Sequence, residues 1–117
     1  MEAIIRRFKQ SAGDRPVIVV PTFYDNYARY RMSRQYLQRF LALEQISGIH
    51  VIDLLPHFRK LGVDALRCFQ APYNVHFSTY GHLVVADALE IELNRLGLVG
   101  ASLGAPRSFH RLAALHA

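Results

Sequence analysis

Two patterns of apolar residues alternate along most of the chain and predict alternating helices and strands. Apolar positions recur at helical spacing over residues 2–11, 32–46 and 79–96, with charged residues between them, which predicts three amphipathic helices. Residues 17–20 are instead a continuous run of Val and Ile, and residues 49–55 are mostly Val, Ile and Leu, as in strands buried on both faces of a parallel sheet. The order helix, strand, helix, strand, helix predicts an α/β layer with a right-handed crossover.

The ends of these elements carry local signals. Ser78 or Thr79 is placed to cap the start of the last helix, and Gly97 to end it, because hydroxyl side chains favour N-caps and glycine favours the residue after a helix. Pro56 suits the first turn of a short helical segment at 56–61, and a further short helix is predicted at 64–68.

The domain organisation follows from where the pattern stops. Residues 1–98 are predicted to form an α/β domain, and residues 99–117, rich in Gly, Ala and Ser at first, a flexible tail. Two parallel strands alone leave an unpaired edge on each side. We therefore expect either a homo-oligomer or an N-terminal segment outside this chain to cover these edges.

Composition excludes several classes of protein. The 117 residues are 51% hydrophobic with a formal net charge of +5, the balance of one globular domain. The basic residues are spread along the chain without Gly-Arg repeats or zinc-ligand spacing, so they predict a solvated face and no nucleic-acid partner. No signal peptide or membrane-spanning run is present, and a cytoplasmic protein with no membrane partner is expected.

The single cysteine, Cys68, excludes a disulfide within the chain. It lies eight residues before His76, so a thiol nucleophile with a histidine base is one interpretation. Its neighbours Leu66 and Phe69 favour the other, a buried and unreactive thiol.

A polar and aromatic loop at 22–27 follows the first predicted strand. In open α/β sheets, ligands bind at the carboxyl ends of the strands, so Tyr24 and Asn26 are candidate substrate-binding residues. An aromatic cover over the core is the equal alternative.

The remaining candidate chemistry lies in a loop that leads into the last helix. Its residues are Asn74-Val75-His76-Phe77-Ser78-Thr79-Tyr80-Gly81-His82-Leu83-Val84-Val85-Ala86. This block resembles the last conserved block of the SGNH/GDSL hydrolases, in which an aspartate and a histidine precede a Gly-His pair and an apolar helix. Including the two predicted strands, the resemblance covers about residues 15–98.

The resemblance implies a fold and an activity. The fold would be the C-terminal part, with two clear parallel strands, of an incomplete flavodoxin-like, three-layer α/β/α domain of SGNH type. The activity would be hydrolysis of an ester, or acyl transfer, without a cofactor or metal. His76 matches the general base and Asn74 stands at the position of the orienting acid, with Asp53 as the other candidate acid. His82 would contact substrate or serve in packing and capping.

Two departures from the family pattern limit the activity that we expect. An amide at Asn74 can orient the imidazole but cannot stabilise its charged form. The sequence contains neither the Gly-Asp-Ser block nor the Gly-x-Asn block of the family. None of its six serines stands in a Gly-Asp-Ser setting, and these serines are Ser11, Ser33, Ser47, Ser78, Ser102 and Ser108. The chain is therefore expected to lack its own nucleophile and to be inactive alone. The alternative is a non-catalytic α/β module that self-associates or binds a protein partner through its sheet edges.

Overall fold

A computed structural model describes residues 1–23, 35–70 and 76–99 of the chain. Within these ranges it contains both helices and strands, and the two strands are parallel, which confirms the α/β class at this coarse level. The elements in chain order are α1 (Glu2–Ala12), β1 (Val17–Val19), α2 (Gln35–Leu41), a first 3₁₀ helix (Ala42–Gln45), β2 (Ile49–Val51), α3 (Leu55–Arg59), a second 3₁₀ helix (Gly62–Cys68) and α4 (Thr79–Arg95). The predicted tail from residue 100 onward lies outside the described residues.

The second predicted strand is shorter than expected. β2 ends at Val51, whereas the predicted strand continues to Leu55. Leu54 already has helical backbone angles and is the N-cap of α3, with Pro56 in its first turn. Leu54 and Leu55 are buried all the same. A short, mostly apolar segment can be buried as a strand or as the start of a helix, so its pattern does not distinguish the two.

The described residues form two compact units, and each is considered by itself. The first unit contains residues 1–22 and 35–53, and the second unit contains residue 23, residues 54–70 and residues 76–99. The described part of the chain has no helix that combines the length and the apolar character needed to cross a membrane.

The first unit is built on the β1–β2 pair. Val17 and Val19 of β1 stand opposite Ile49 and Val51 of β2, so alternate residues of both strands share one face of the sheet. Val17, Ile49 and Val51 are buried there with Leu43. The partly buried side chains packed against this aliphatic cluster are Ile5, Ala12, Val19, Phe40 and Ile46.

The two edges of this small sheet differ. Val17 N–H donates to Gly48 O (2.8 Å) and Ile52 N–H to Val19 O (2.9 Å), so Val17 and Val19 turn their backbone groups toward β2. By the alternation of a parallel ladder, Ile18 turns its N–H and C=O to the outer edge of β1.

The outer edge of β2 is occupied from within the chain. Val51 N–H donates to Oε1 of Glu44 (2.9 Å). Ile49 N–H donates to the carbonyl of Ile46 (3.1 Å). Glu44 and Ile46 precede β2 by a few residues, so the local chain itself blocks this edge to an incoming strand.

The second unit has an aromatic core. Phe23, Phe58, Phe69 and Phe77 contact one another, with ring centroids 5.0 to 6.3 Å apart. Phe58 is fully buried, as are Val84 and Ala88 of α4. Tilted and edge-on ring pairs are the favoured geometries, and they form the centre of the unit that carries the candidate site.

Candidate functional site

Ser78 determines where α4 begins. Its extended backbone (φ −72°, ψ 173°) places it as the N-cap, and its Oγ accepts a hydrogen bond from Gly81 N–H at 3.1 Å. The same hydroxyl donates to the carbonyl of Arg67. Ser78 N–H in turn donates to Cys68 O at 2.9 Å. The cap therefore fixes the first turn of α4 to the second 3₁₀ helix, and of the two predicted caps the structure selects Ser78.

Gly81 allows this close approach. A Cβ atom added at Gly81 would overlap the carbonyl oxygen of Cys68 and would lie 2.8 Å from its carbon. Both atoms are backbone, so no side-chain rearrangement could relieve the clash. The glycine of the Gly-His pair is therefore explained by the packing of α4 on the backbone at Cys68, whatever its role in a site.

His76 lies on the turn that leads into α4, and its side chain is exposed. The carbonyl of His76 accepts a hydrogen bond from Gln70 N–H at 3.0 Å, and the next residue, Phe77, forms an antiparallel bridge with Phe69. The imidazole is thus accessible while the backbone beneath it is anchored. A base that acts on an external substrate needs this combination.

His82 is also exposed, one turn into α4, and its ring packs edge-on against Phe77 at 5.9 Å. His76 and His82 therefore both lie at the start of α4. The described residues contain no group of three or more His, Cys, Asp or Glu side chains that could hold a metal ion.

The other predicted site residues are placed elsewhere or are not described. Asn74, Tyr24 and Asn26 lie outside the described residues. Asp53 is partly buried and belongs to the first unit, two residues beyond the end of β2.

Cys68 is fully buried. Burial and, to a smaller degree, the charge of Asp64 raise the pKa of the thiol to about 12, and the opposing effect of Arg67 is smaller still. The thiolate needed for nucleophilic attack is therefore scarce at neutral pH. The interpretation of Cys68 as an unreactive buried thiol is confirmed, and its carbonyl, not its sulfur, serves the site.

Arg67 and Tyr80 are two residues of this region that the sequence did not single out. The guanidinium of Arg67 lies 5.2 Å from the centre of the Tyr80 ring, a cation–π distance, and Arg67 is also paired with Asp64 at 3.6 Å. Burial, followed by the charges of Cys68 and Asp64, raises the pKa of Tyr80 against the opposing charge of Arg67. Tyr80 is thus a neutral phenol beside a fixed cation. Tyr80 lies in the first turn of α4, four residues after His76, and this spacing could have indicated from the sequence that it belongs to the same region.

The clearest imidazole–carboxylate pair in the described residues is not at this loop. His57 of α3 donates from Nε2 to Oε1 of Glu92 in α4 (2.9 Å), and Arg95 donates to Oε2 of the same carboxylate (2.7 Å). Burial alone would raise the pKa of Glu92, but the hydrogen bonds from His57 and Arg95 outweigh it, and the pKa lies below its ordinary value. His57 is only 8% exposed, so it cannot reach a substrate, and the pair joins α3 to α4. His57 is therefore structural.

No protein-family model, curated protein or solved structure matches this chain significantly.

Proposed function

We propose that this chain is the C-terminal segment of an SGNH/GDSL-type ester hydrolase or acyltransferase, with a flavodoxin-like fold completed by polypeptide outside it. His76 is the general base, and the serine nucleophile comes from the completing segment. The observation that carries the proposal is the exposed imidazole of His76, whose carbonyl accepts a hydrogen bond from Gln70 N–H and whose next residue, Phe77, bridges to Phe69. An imidazole held in this way is accessible to a hydroxyl that the chain itself does not supply.

The serine nearest to His76 supports the idea of an external nucleophile. Ser78 Oγ accepts from Gly81 N–H and donates to the Arg67 carbonyl. Both hydrogen bonds belong to the cap of α4, and using the hydroxyl as a nucleophile would break them. Ser11 donates to Arg7 O within α1, and neither serine follows a strand in the Gly-Asp-Ser setting of the family.

The experiment compares the chain alone with a completed complex. The pure chain is assayed with p-nitrophenyl acetate, and it is then co-expressed with the in-frame segment encoded upstream of it. We expect no turnover above background alone. In the complex, His76→Ala is expected to lower kcat by roughly 10²–10⁴-fold, the usual contribution of a general base. His50→Gln, in β2 of the first unit, is the matched histidine control and should retain activity.

Two outcomes would contradict the proposal. Equal activity of the His76→Ala and His50→Gln complexes would remove His76 from the reaction. Turnover by the chain alone that is lost in His76→Ala but persists after each of the six serines is replaced would remove the serine nucleophile.

A second candidate function is self-association through the outer edge of β1. The supporting observation is the asymmetry of the sheet, because Glu44 and Ile46 block β2 while Ile18 directs its backbone groups outward and leaves 36% of its surface exposed. Pairing of β1 with β1 of a second copy would stop at a dimer, since the blocked edges admit no further strand. Light scattering is expected to show a dimer that Ile18→Lys dissociates and Val63→Lys does not. A stable wild-type monomer would contradict it.

A further inference from the structure

One face of α1 exposes apolar side chains on successive turns. Met1, Ile4 and Phe8 are 57%, 72% and 64% exposed, although their spacing places them along one side of the helix. The adjacent side of α1, with Ile5 and Ala12, already packs on the aliphatic cluster of the first unit. The apolar surface of this helix is therefore wider than its core contact requires, and we call the three exposed residues the α1 stripe.

Basic side chains lie beside the α1 stripe. Residues 1–15 contain Arg6, Arg7, Lys9 and Arg15 against Glu2 and Asp14. Glu2 pairs with Arg6 at 2.7 Å. Lys9 holds the carbonyls of Gly13 and Arg15 at the end of the helix. Arg7 is exposed and follows Ile4 by three residues, so its guanidinium is placed next to the stripe.

The size and shape of the stripe decide which partner fits it. Eight helical residues span about 12 Å, and a stable protein interface needs about 800 Å² from each partner. A helix that binds in a protein groove would also use the side that Ile5 and Ala12 already occupy. A second copy would bring two basic helices together. Binding to a planar anionic surface requires no shaped pocket, and such a surface attracts the excess positive charge of residues 1–15.

We infer that α1 binds the surface of an anionic lipid bilayer, with Ile4 and Phe8 entering the headgroup boundary and Arg7 contacting lipid phosphates. Apolar insertion and attraction to anionic lipid act together in such interfacial helices. This surface contact differs from a membrane span, and it departs from the sequence-based expectation that the chain has no membrane partner. It depends on the first unit alone and is independent of His76.

Vesicle co-sedimentation of the full chain tests the inference. The probes are vesicles of phosphatidylcholine alone and vesicles with about 30% phosphatidylglycerol, an anionic fraction that gives a negative surface potential. Binding is expected only to the anionic vesicles and should weaken as salt is raised. Ile4→Ser with Phe8→Ser should lower the partition coefficient at least roughly tenfold through lost apolar insertion. Val63→Ser removes an apolar side chain that is 88% exposed in the second unit and should leave binding unchanged.

A charge-matched pair keeps the test decisive if the double variant folds poorly. Arg7→Glu and Lys60→Glu change the net charge equally, and both side chains are exposed. Arg7→Glu should weaken binding roughly tenfold because it acts at the membrane surface, whereas Lys60→Glu should have a much smaller effect. The inference is overturned if the wild-type chain binds neither vesicle, as expected if α1 instead serves an acidic protein, or if the two charge variants bind equally.

Discussion

In the first unit, aliphatic side chains cover one face of a two-stranded sheet, whereas in the second unit four phenylalanines pack among helices. The first unit leaves Ile18 of β1 and the α1 stripe exposed. In the second unit, the Ser78 cap and the close approach of Gly81 to the Cys68 backbone fix the start of α4. The hydrogen bonds of Glu92 with His57 and Arg95 add a link between helices. Larger buried side chains and more cross-element hydrogen bonds give a unit that can hold an exposed histidine in a fixed position. In the first unit, apolar side chains of α1 stay exposed, and they form a surface suited to binding.

The largest expected difference between the units concerns their cores. Phe58→Ala should lower the free energy of unfolding of the second unit by about 4 kcal/mol, because Phe58 is fully buried at the centre of the ring cluster. Val51→Ala removes less volume from the first unit and should cost about 2 kcal/mol. Amide hydrogen exchange, analysed separately for each unit, measures both losses in the free energy of unfolding. Equal losses would show that the aromatic core is no more stabilising than the aliphatic one.

The close approach at Gly81 is the next test. Gly81→Ala should destabilise the second unit by about 3 kcal/mol, since the new methyl group would overlap the backbone of Cys68. Gly97→Ala is the matched control, with φ of +67° and no atom within 4 Å of the added group. It should cost only about 1 kcal/mol, the strain of a left-handed residue. If the two variants lose the same stability in urea denaturation, then the contact with Cys68 is not what requires a glycine.

The partly buried carboxylate of Glu92 should make stability depend on pH. Its pKa lies below the ordinary value of 4.5 because its hydrogen bonds with His57 and Arg95 outweigh the effect of burial. A lowered carboxyl pKa contributes stability that is complete above that ordinary value and is lost as the pH falls through the lower, folded-state pKa. Glu92→Gln should cost about 1–2 kcal/mol at neutral pH and should remove this part of the acid dependence.

Urea denaturation of the wild-type chain and the Glu92→Gln variant across the acid range measures the effect. Glu90→Gln, on the same helix, is the control and should leave the acid dependence as it is. An unchanged pH profile in Glu92→Gln would mean that the pairing does not stabilise the second unit.

The smallest expected effect is at the blocked edge of the first unit. Glu44→Ala removes the acceptor of Val51 N–H and should cost about 1 kcal/mol. It should also open the second edge of the sheet, so that association proceeds beyond a dimer. Light scattering over a range of concentrations measures this change. Assembly that matches the wild-type chain would show that the carboxylate does not protect the edge.

The accuracy of the sequence-based predictions followed the range of the interactions. The start of α4 at Ser78 or Thr79 and the helices α1 and α4 depend on local signals, and they were predictable from neighbouring residues. The end of β2 was wrong by several residues, because Ile52, Leu54 and Leu55 would be buried in a strand as they are here. The blocking of the β2 edge by Glu44 was missed, since a glutamate in a short helix gives no sign that it accepts a backbone hydrogen bond.

The predictions about the candidate site differ in the same way, between local signals and long-range contacts. The sequence identified His76 and His82 because they flank a recognisable helix start, but the geometry of Asn74, Tyr24 and Asn26 stays a prediction. The His57–Glu92 pairing could not be predicted, because the two residues are 35 positions apart and only the packing of α3 on α4 joins them.

The sequence by itself determined the alternation of helices and strands and placed the start of α4 at Ser78 or Thr79, because these features depend on the spacing and type of neighbouring residues. Only the tertiary structure decided that Gly81 lies against the backbone of Cys68 and that the Glu92 carboxylate accepts hydrogen bonds from His57 and Arg95. It also decided that Glu44 and Ile46 occupy the outer edge of β2. These features arise where distant segments meet, and burial and backbone hydrogen bonding there are set by the whole fold.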